Sequence, residues 1–400
     1  MTDSVSKIKE LIKKGVSIPV PESVYISSEV NTDRIIKGVT LFPGTRIYGD
    51  TTLILKDTKI GSEGPATIKN SFIGEKVDIK SGYIEGSTLL EKVVIGANAH
   101  IRKGSILEEE ANIAHTVGLK QTILFPFVTL GSLINFCDCF MSGGTSRKNH
   151  SEVGSSYIHF NYTPNQDKAT ASLIGDVAKG VMLNNAPVFL GGQGGLVGPC
   201  RLSYGSITAA GTIQRKDELR KGRLMFGGMQ KAGNIPFATG TFTAIPRIVG
   251  NNIMYIANLI SLREWYSKVR ILFVSTSFPD ELLDGLKLTL NIAIDERIKR
   301  LKDFFGKACD AMHTNESEGL ISEIYKNGDK LCDSLKETQI KSEFYEDFIR
   351  SFQKNMDSNY IDSIKSLPDG CSEKGTIWLN DIIQKVVKNT ESHLPSLKIK

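Results

Sequence analysis

The sequence predicts a mainly β fold, a parallel β-helix, followed by an α-helical region, and two periodicities predict it. The first is a six-residue beat of aliphatic side chains at Ile95, Ile101, Leu107, Ile113 and Leu119, and again at Leu190, Leu196 and Leu202. Small residues stand two places before most beats: Ala99, Ser105 and Ala111 in the first run, Gly194, Cys200 and Ser206 in the second. A unit this short cannot bury an apolar face by itself, so successive units must stack on one continuous core. Six residues hold one short strand and one turn but no helix, which gives a prism of triangular cross-section. The second periodicity begins after Asn252, where apolar residues take the three-four spacing of a helix.

From the N-terminus, residues 7 to 14 form a short amphipathic helix closed by Gly15, Pro19 and Pro21. Residues 1–34 are expected to cap the first coil, since solenoid ends need cover. The β-helix is expected over 35–213. Its beat starts at Leu41, Ile47 and Leu53, with Thr45 and Thr51 preceding, and continues through Ile60-Gly61, Ile73-Gly74 and Ile95-Gly96. Glycine after the aliphatic suits a corner where backbone meets backbone. Between about 138 and 170 the beat lapses into polar, Gly-rich sequence that includes Ser142 to His150, the pattern of a projecting insertion. It resumes at Val188-Phe189-Leu190-Gly191 and runs to about Ile213.

Residues 214–251 read as an irregular basic and Gly-rich connection carrying Arg215, Lys216, Arg220, Lys221 and Arg223. Residues 252–400 read as an α-helical domain. Ile298, Leu301, Phe305, Ala308 and Met312 make one apolar stripe, and Ser334 to Lys354 and Trp378 to Lys388 show the same spacing.

Lys plus Arg (49) against Asp plus Glu (44) leaves a net charge of +5, too small an excess to argue for nucleic acid. No stretch approaches the ~20 apolar residues of a membrane span, and the first residues carry no apolar signal segment, so the expected location is the cytoplasm. The six cysteines are scattered; Cys137 and Cys139 alone are close, without evident partner ligands, and no metal is predicted.

Two stretches within Ile95 to Ile213 carry a family resemblance. One is Gly154-Ser155-Ser156-Tyr157-Ile158-His159-Phe160-Asn161-Tyr162; the other runs from Val188-Phe189-Leu190-Gly191 through Leu196-Val197-Gly198-Pro199 to Ala209-Ala210-Gly211-Thr212-Ile213. They resemble the C-terminal acetyltransferase domain of the bacterial bifunctional enzyme that makes N-acetylglucosamine 1-phosphate and joins it to UMP. The resemblance implies a left-handed β-helix, an exception to the right-handed crossover rule, and a homotrimer. It also implies acetyl-CoA as acyl donor and a sugar phosphate or nucleotide sugar as the other ligand.

Carried over residue by residue, the resemblance puts phosphate-gripping cations at Arg102 and Lys120 and acceptor-positioning groups at Asn161 and Tyr162, with Lys168 near a further substrate lysine. Arg215 and Arg220 fall where the family's chain end meets the coenzyme phosphates. The family's general base is a histidine in a Gly-His-Leu-x-Tyr-x-Gly-Asp string. Here that register reads Gly131-Ser132-Leu133-Ile134-Asn135-Phe136-Cys137-Asp138, so Ser132 replaces the histidine. A serine of ordinary pKa cannot take a proton from an amine at neutral pH. His150 and His159, in or beside the insertion, are the candidates for a relocated base. His159 alternates with Ile158 and Phe160 and is expected to point outward, with a pKa near ~6.5.

Each assignment has a plainer counterpart. Arg102, Lys120 and the 215–223 run also read as solvated charges, His159 as a surface histidine, and Asn161 with Tyr162 as a structural pair. Two functional classes therefore stay open: a coenzyme A dependent acyltransferase, and a non-catalytic sugar-phosphate binding or assembly protein that has lost the base.

Overall fold

In the computed structural model, which describes residues 2–227, 233, 234, 236, 240–242, 244–311, 318–336 and 340–399, three parallel sheets of ten, eight and ten strands run side by side along a solenoid. We call them faces B, C and A in that order. Three six-residue units make one coil, so Ile95 pairs with Ile113 and Leu89 with Leu107. The interior ladder of face A is Leu41, Ile60, Ile79, Ile95, Ile113, Leu130, Val153 and Leu190. Face B contributes Ile47, Ile68, Ile84, Ile101, Leu119 and Phe136, and face C Ile54, Ile73, Leu89, Leu107, Leu124, Met141, Ile174 and Leu202. All are buried. The fold class expected from the sequence is the one found: a left-handed parallel β-helix followed by helices.

The small residues of the beat have a second duty besides fitting the space. Their hydroxyls donate to carbonyls of neighbouring backbone: Thr58 Oγ1 to Gly74 O at 2.8 Å, Thr122 Oγ1 to Phe136 O at 2.6 Å, and Ser105 Oγ to Arg102 O at 2.8 Å. Buried polar groups are thereby paired. Corners turn on a residue in left-handed backbone, and many of these are not glycine: Lys92, Asn98, Glu110 and Thr116 have φ of 58–59°. A tight turn of the second type demands positive φ at its third residue, so the solenoid imposes this conformation even on β-branched Thr116.

Helix α1 (Thr2–Lys14) lies across the first coil, burying Ile8 and Leu11. The beat does not reach Ile213. Six places beyond Thr208 lies Gln214, which pairs with Leu196, while Ile213 stands on the outside of the last coils. One further strand, Leu224–Met225, pairs with Ile207–Thr208.

Three excursions leave the solenoid. A hairpin of strands Gly144–Ser146 and Asn149–His150 projects between faces C and A. Residues 161–171 link faces B and C, and the short helix α2 (Val177–Gly180) follows face C.

The helical region comprises α3 (Ile245–Lys268), α4 (Asp280–Asp310), α5 (Glu318–Ser334), α6 (Tyr345–Gln353), α7 (Tyr360–Lys365) and α8 (Asp369–His393). Of the expected helix over Ser334 to Lys354, the helical part among the described residues is α6, Tyr345–Gln353; α5 ends at Ser334. Residues 337–339 between them, Met312 of the expected stripe, and residues 228–232, 235, 237–239 and 243 of the Gly-rich stretch lie outside the described residues. Ile298, Leu301, Phe305 and Ala308 are buried on α4.

The helices pack on face C because that sheet is apolar outside as well as inside. Its outer ladder is Leu53, Phe72, Thr88, Ile106, Ile123, Phe140 and Leu173. Helix α4 lies on strands Phe72–Ile73, Thr88–Leu89 and Ile106–Leu107, and α3 reaches Ser172–Ile174. A sheet buried on both faces reads as continuous apolar strands. Trp265, Phe348 and Trp378 stack to close the far side of the helices. Among the described residues, no helix is long and apolar enough to cross a membrane.

Candidate functional site

Arg102 and Lys120 occupy consecutive rungs on face B, in direct register, at the edge shared with face C. Adjacent strands lie ~4.8 Å apart, so the two cations stand side by side. Cys137 takes the next rung, and Arg102 Nη2 lies 3.7 Å from its Sγ. Among the described residues neither cation has a carboxylate within ion-pair distance. Their neighbour Glu85 is instead taken by Lys69 and Lys103, at 3.4 and 3.7 Å. Burial and Asp138 push the Cys137 thiol up; the two cations pull the other way without winning.

Asn161 reaches the same edge from the end of strand Ile158–Phe160. Its Nδ2 donates to Asp138 Oδ2 at 2.5 Å, and the Asp138 backbone N–H donates to Lys120 O at 2.8 Å. The other carboxylate oxygen lies 2.8 Å from Arg297 of α4, itself 2% exposed. Asp138 thus joins the solenoid edge, the 161–171 segment and the helical region, a role that the sequence analysis missed. Tyr162 is exposed, and so is Lys168. Arg102 and Lys120 thus stand side by side, and Asn161 lies two rungs further along the same edge, with Tyr162 and Lys168 on the segment that leaves it.

His159 overturns its expected orientation. It fills the interior rung of face B between Phe136 and Leu196 and is 1% exposed. Ile158 is the outward residue, 41% exposed. His159 Nδ1 lies 2.6 Å from Cys137 O, so it must carry the proton, which leaves Nε2 to accept from Ser172 Oγ at 2.8 Å. Burial holds its pKa down at about 4, with Arg297 acting in the same direction.

His150 lies elsewhere, on the hairpin at the edge between faces C and A. Its Nδ1 is 2.8 Å from Arg147 O and its Nε2 is 3.8 Å from Glu152 Oε2. Arg147 pins the hairpin down, donating to Glu110 O, Phe127 O and Thr129 Oγ1. Within one chain the helix-covered face C separates His150 from the Arg102–Lys120 edge. Ser132 sits at a third corner, between faces A and B, its backbone N–H donating to Ser155 Oγ at 3.2 Å.

On the last coils Arg220 is engaged by both oxygens of Glu218, at 2.9 and 2.6 Å, and this pairing pulls the Glu218 carboxyl down to about 2. Arg215 Nη1 donates to Ile213 O at 3.3 Å. Among the described residues, no group of three or more His, Cys, Asp or Glu side chains could hold a metal ion.

With a two-cation edge on a solenoid of this class in place, comparison with known proteins is informative. The chain is similar to the bifunctional proteins GlmU. It is 26% identical to that of Thermotoga maritima over 214 residues, 53% of this chain and 42% of the relative. It is 29% identical to that of Pelobacter propionicus over 214 residues, 52% and 40% of the two chains, and 28% identical to that of Listeria monocytogenes over 206 residues, again 52% and 40%. The chain spans about two fifths of the length of these GlmU relatives. No family model matches it.

Proposed function

We propose that this chain binds a sugar phosphate or nucleotide sugar at the Arg102–Lys120 edge and acts there as a coenzyme A dependent acyltransferase, in a cytoplasmic homotrimer. The observation that carries the reading is the pair of adjacent cations left without a carboxylate partner among the described residues. Charge-assisted hydrogen bonds from such a pair suit a phosphate dianion. Asn161, held by Asp138, and Tyr162 would position the acceptor, with Lys168 as a further substrate contact.

The residues of the last coils fit acetyl-CoA. Phe189, Ile207 and Leu224 form an exposed apolar ladder on face A, in register with Glu152, and the cations Lys221 and Arg223 lead into its last rung, whereas Arg215 and Lys216 follow strand Ile213–Gln214 at the edge between faces B and C. An apolar strip leading to cations suits a pantetheine arm with phosphates beyond it. Arg220 is the weaker cofactor residue, since Glu218 neutralises it. The coenzyme supplies a thioester, so a C–N or C–O bond forms as the C–S bond breaks and the thiol leaves with a proton.

The base takes the acceptor's proton. His150, with Glu152 beside it to stabilise the imidazolium, suits this role better than His159, which is sealed in the core. The trimer would complete the site. Helices cover face C, leaving faces A and B for neighbours, and both carry exposed apolar side chains: Phe189, Ile207 and Leu224 on A, Ile158 and Ile213 on B. Face A of one copy against face B of the next is a heterologous contact that can close a ring. That packing would bring His150 of one copy towards Arg102 and Lys120 of another.

Isothermal titration with acetyl-CoA and with glucosamine 1-phosphate, together with light scattering for the trimer, tests the reading. Binding of the sugar phosphate that Arg102→Ala abolishes supports the site, and no binding of either ligand refutes it. Ser132 and the sealed His159 favour a second reading, a non-catalytic sugar-phosphate binding or assembly protein. Sugar-phosphate binding without acetyl-CoA binding or turnover would select that one.

A further inference from the structure

The outer ladder of face C begins one rung before its helical cover. Helix α4 lies on the strands from Phe72 onward, whereas Leu53, one coil earlier, faces a cavity bounded by Thr276, Pro279 and Glu281 at the start of the helix. The mismatch leaves a cavity of about 530 Å³ between the first coils and the start of α4. Its apolar lining is Leu53, Leu55, Ile36 and Pro279. Ligand cavities of about 300–1,000 Å³ are built this way, with an apolar body and a few polar groups.

The polar groups are not equivalent. Arg34, Lys37 and Lys56 line the cavity with Asp33, Glu75 and Glu281. Asp33 is drawn towards Lys14, 3.7 Å away. Burial pushes the Glu75 carboxyl up, which lessens its opposition to an anion. Glu281 lies in the first turn of α4, where the helix dipole offsets its charge. On the basic side, Arg34 is fixed by the carbonyls of Thr51 and Thr52, at 3.1 and 3.3 Å, and Lys56 is 3.8 Å from Asp57. Lys37 has no ion-pair or hydrogen-bond partner among the described residues. It is the cation with charge to offer.

We propose that this cavity binds a small amphipathic anion, its apolar body against Leu53, Leu55 and Pro279 and its charged group at Lys37, with Arg34 and Lys56 behind. The site is separate from the Arg102–Lys120 edge, and its success or failure is independent of the acyltransferase reading.

The test uses the full chain and 8-anilinonaphthalene-1-sulfonate, with neutral N-phenyl-1-naphthylamine as the uncharged comparison. The sulfonate dye is expected to bind saturably. Lys37→Glu, a surface change, should weaken it on the order of tenfold through loss of a charge-assisted contact, and Leu53→Trp should abolish it by filling the floor. The neutral dye should bind more weakly than the sulfonate, and Ile207→Asp on face A should change nothing. Near-UV circular dichroism confirms that each variant is folded. The proposal is overturned by no binding, by equal binding of the two dyes, or by a signal that Ile207→Asp removes and Lys37→Glu leaves intact.

Discussion

Arg270 Nη2 lies 2.5 Å from Glu109 Oε1, joining the helical region to a solenoid corner through a buried ion pair. The guanidinium carbon sits 3.8 Å from the Tyr360 ring centroid and 4.6 Å from that of Phe278. Removing one partner leaves the other charge buried and unmatched, which typically costs about 3–5 kcal/mol. Glu109→Ala and Arg270→Ala should each lower stability by that order in urea unfolding. The double variant Glu109→Leu/Arg270→Met should lose less than either single change, because it buries no stranded charge. Equal or greater loss in the double variant would show that the pair itself stabilises the junction.

The neighbouring Glu108 gives the same junction a pH dependence. Its Oε1 accepts from Tyr266 at 2.5 Å, and among the described residues no cation lies within ion-pair distance of it. Burial, reinforced by the charge of Glu109, pushes its carboxyl up to about 8. A carboxyl whose folded pKa lies above its unfolded value contributes stability that is full below the unfolded value and is lost as pH rises through the folded one. Stability should therefore decline between about pH 5 and 8 from this group. Glu108→Gln keeps the hydrogen bond with Tyr266 and should flatten that decline in thermal unfolding measured across the range. An unchanged slope would assign the pH dependence elsewhere.

The interior ladders were legible residue by residue, since a six-residue count from Ile95 lands on the core at Ile101, Leu107, Ile113 and Leu119. The helical cover on face C had a signal too. Most strands of face A pair a polar outer residue with the aliphatic, as in Lys59-Ile60, Asp78-Ile79 and Asn112-Ile113, whereas most of face C reads like Phe72-Ile73, Ile106-Leu107, Ile123-Leu124 and Phe140-Met141; the doubled pairs Phe189-Leu190 and Leu224-Met225 of face A leave their outer residue exposed. Doubled apolar pairs on successive rungs mean both sides are buried. His159 was legible by the same count, six places after Val153, but local alternation with Ile158 and Phe160 argued for the opposite face. The Asp138–Arg297 contact had no local signal, because its partners are distant in sequence and meet only when α4 docks. The separation of His150 from Arg102 likewise depends on which corner each excursion leaves, which spacing alone does not encode.

At Gly285 the backbone of α4 comes directly against the solenoid. A methyl group there would come 2.2 Å from Phe72, and the Gly285 carbonyl accepts from Thr88 Oγ1 at 3.2 Å. In an exposed helix interior, replacing Gly by Ala stabilises by about 0.8–1 kcal/mol. Here the ring of Phe72 must move within a packed interface, and overpacking of this kind costs about 1–3 kcal/mol. Gly285→Ala should therefore destabilise, and Gly285→Ala with Phe72→Leu should recover part of the loss in chemical unfolding. A stabilised Gly285→Ala variant would mean that α4 can shift off face C at little cost.

His159 makes the last prediction, because its burial separates structure from catalysis. Its folded pKa of about 4 lies below the usual histidine value of ~6.5, so its contribution to stability is complete above that value and lost as pH falls through about 4. The difference is on the order of 3 kcal/mol. His159→Leu fits the ladder between Phe136 and Leu196 and removes this acid sensitivity. It also takes the imidazole donor from Cys137 O, leaving it the Cys139 thiol at 3.5 Å, so the variant should lose about 1–3 kcal/mol at pH 7 and show a flatter stability curve between pH 6.5 and 4. A curve parallel to that of the parent would refute the buried neutral imidazole. Turnover supplies an independent readout. His159→Gln should leave the pH profile of any acyl transfer where it was, whereas His150→Gln should remove the limb that reports the base. A profile that shifts with His159 instead would move the base into the core and would require a path for the acceptor that the closed ladder does not offer.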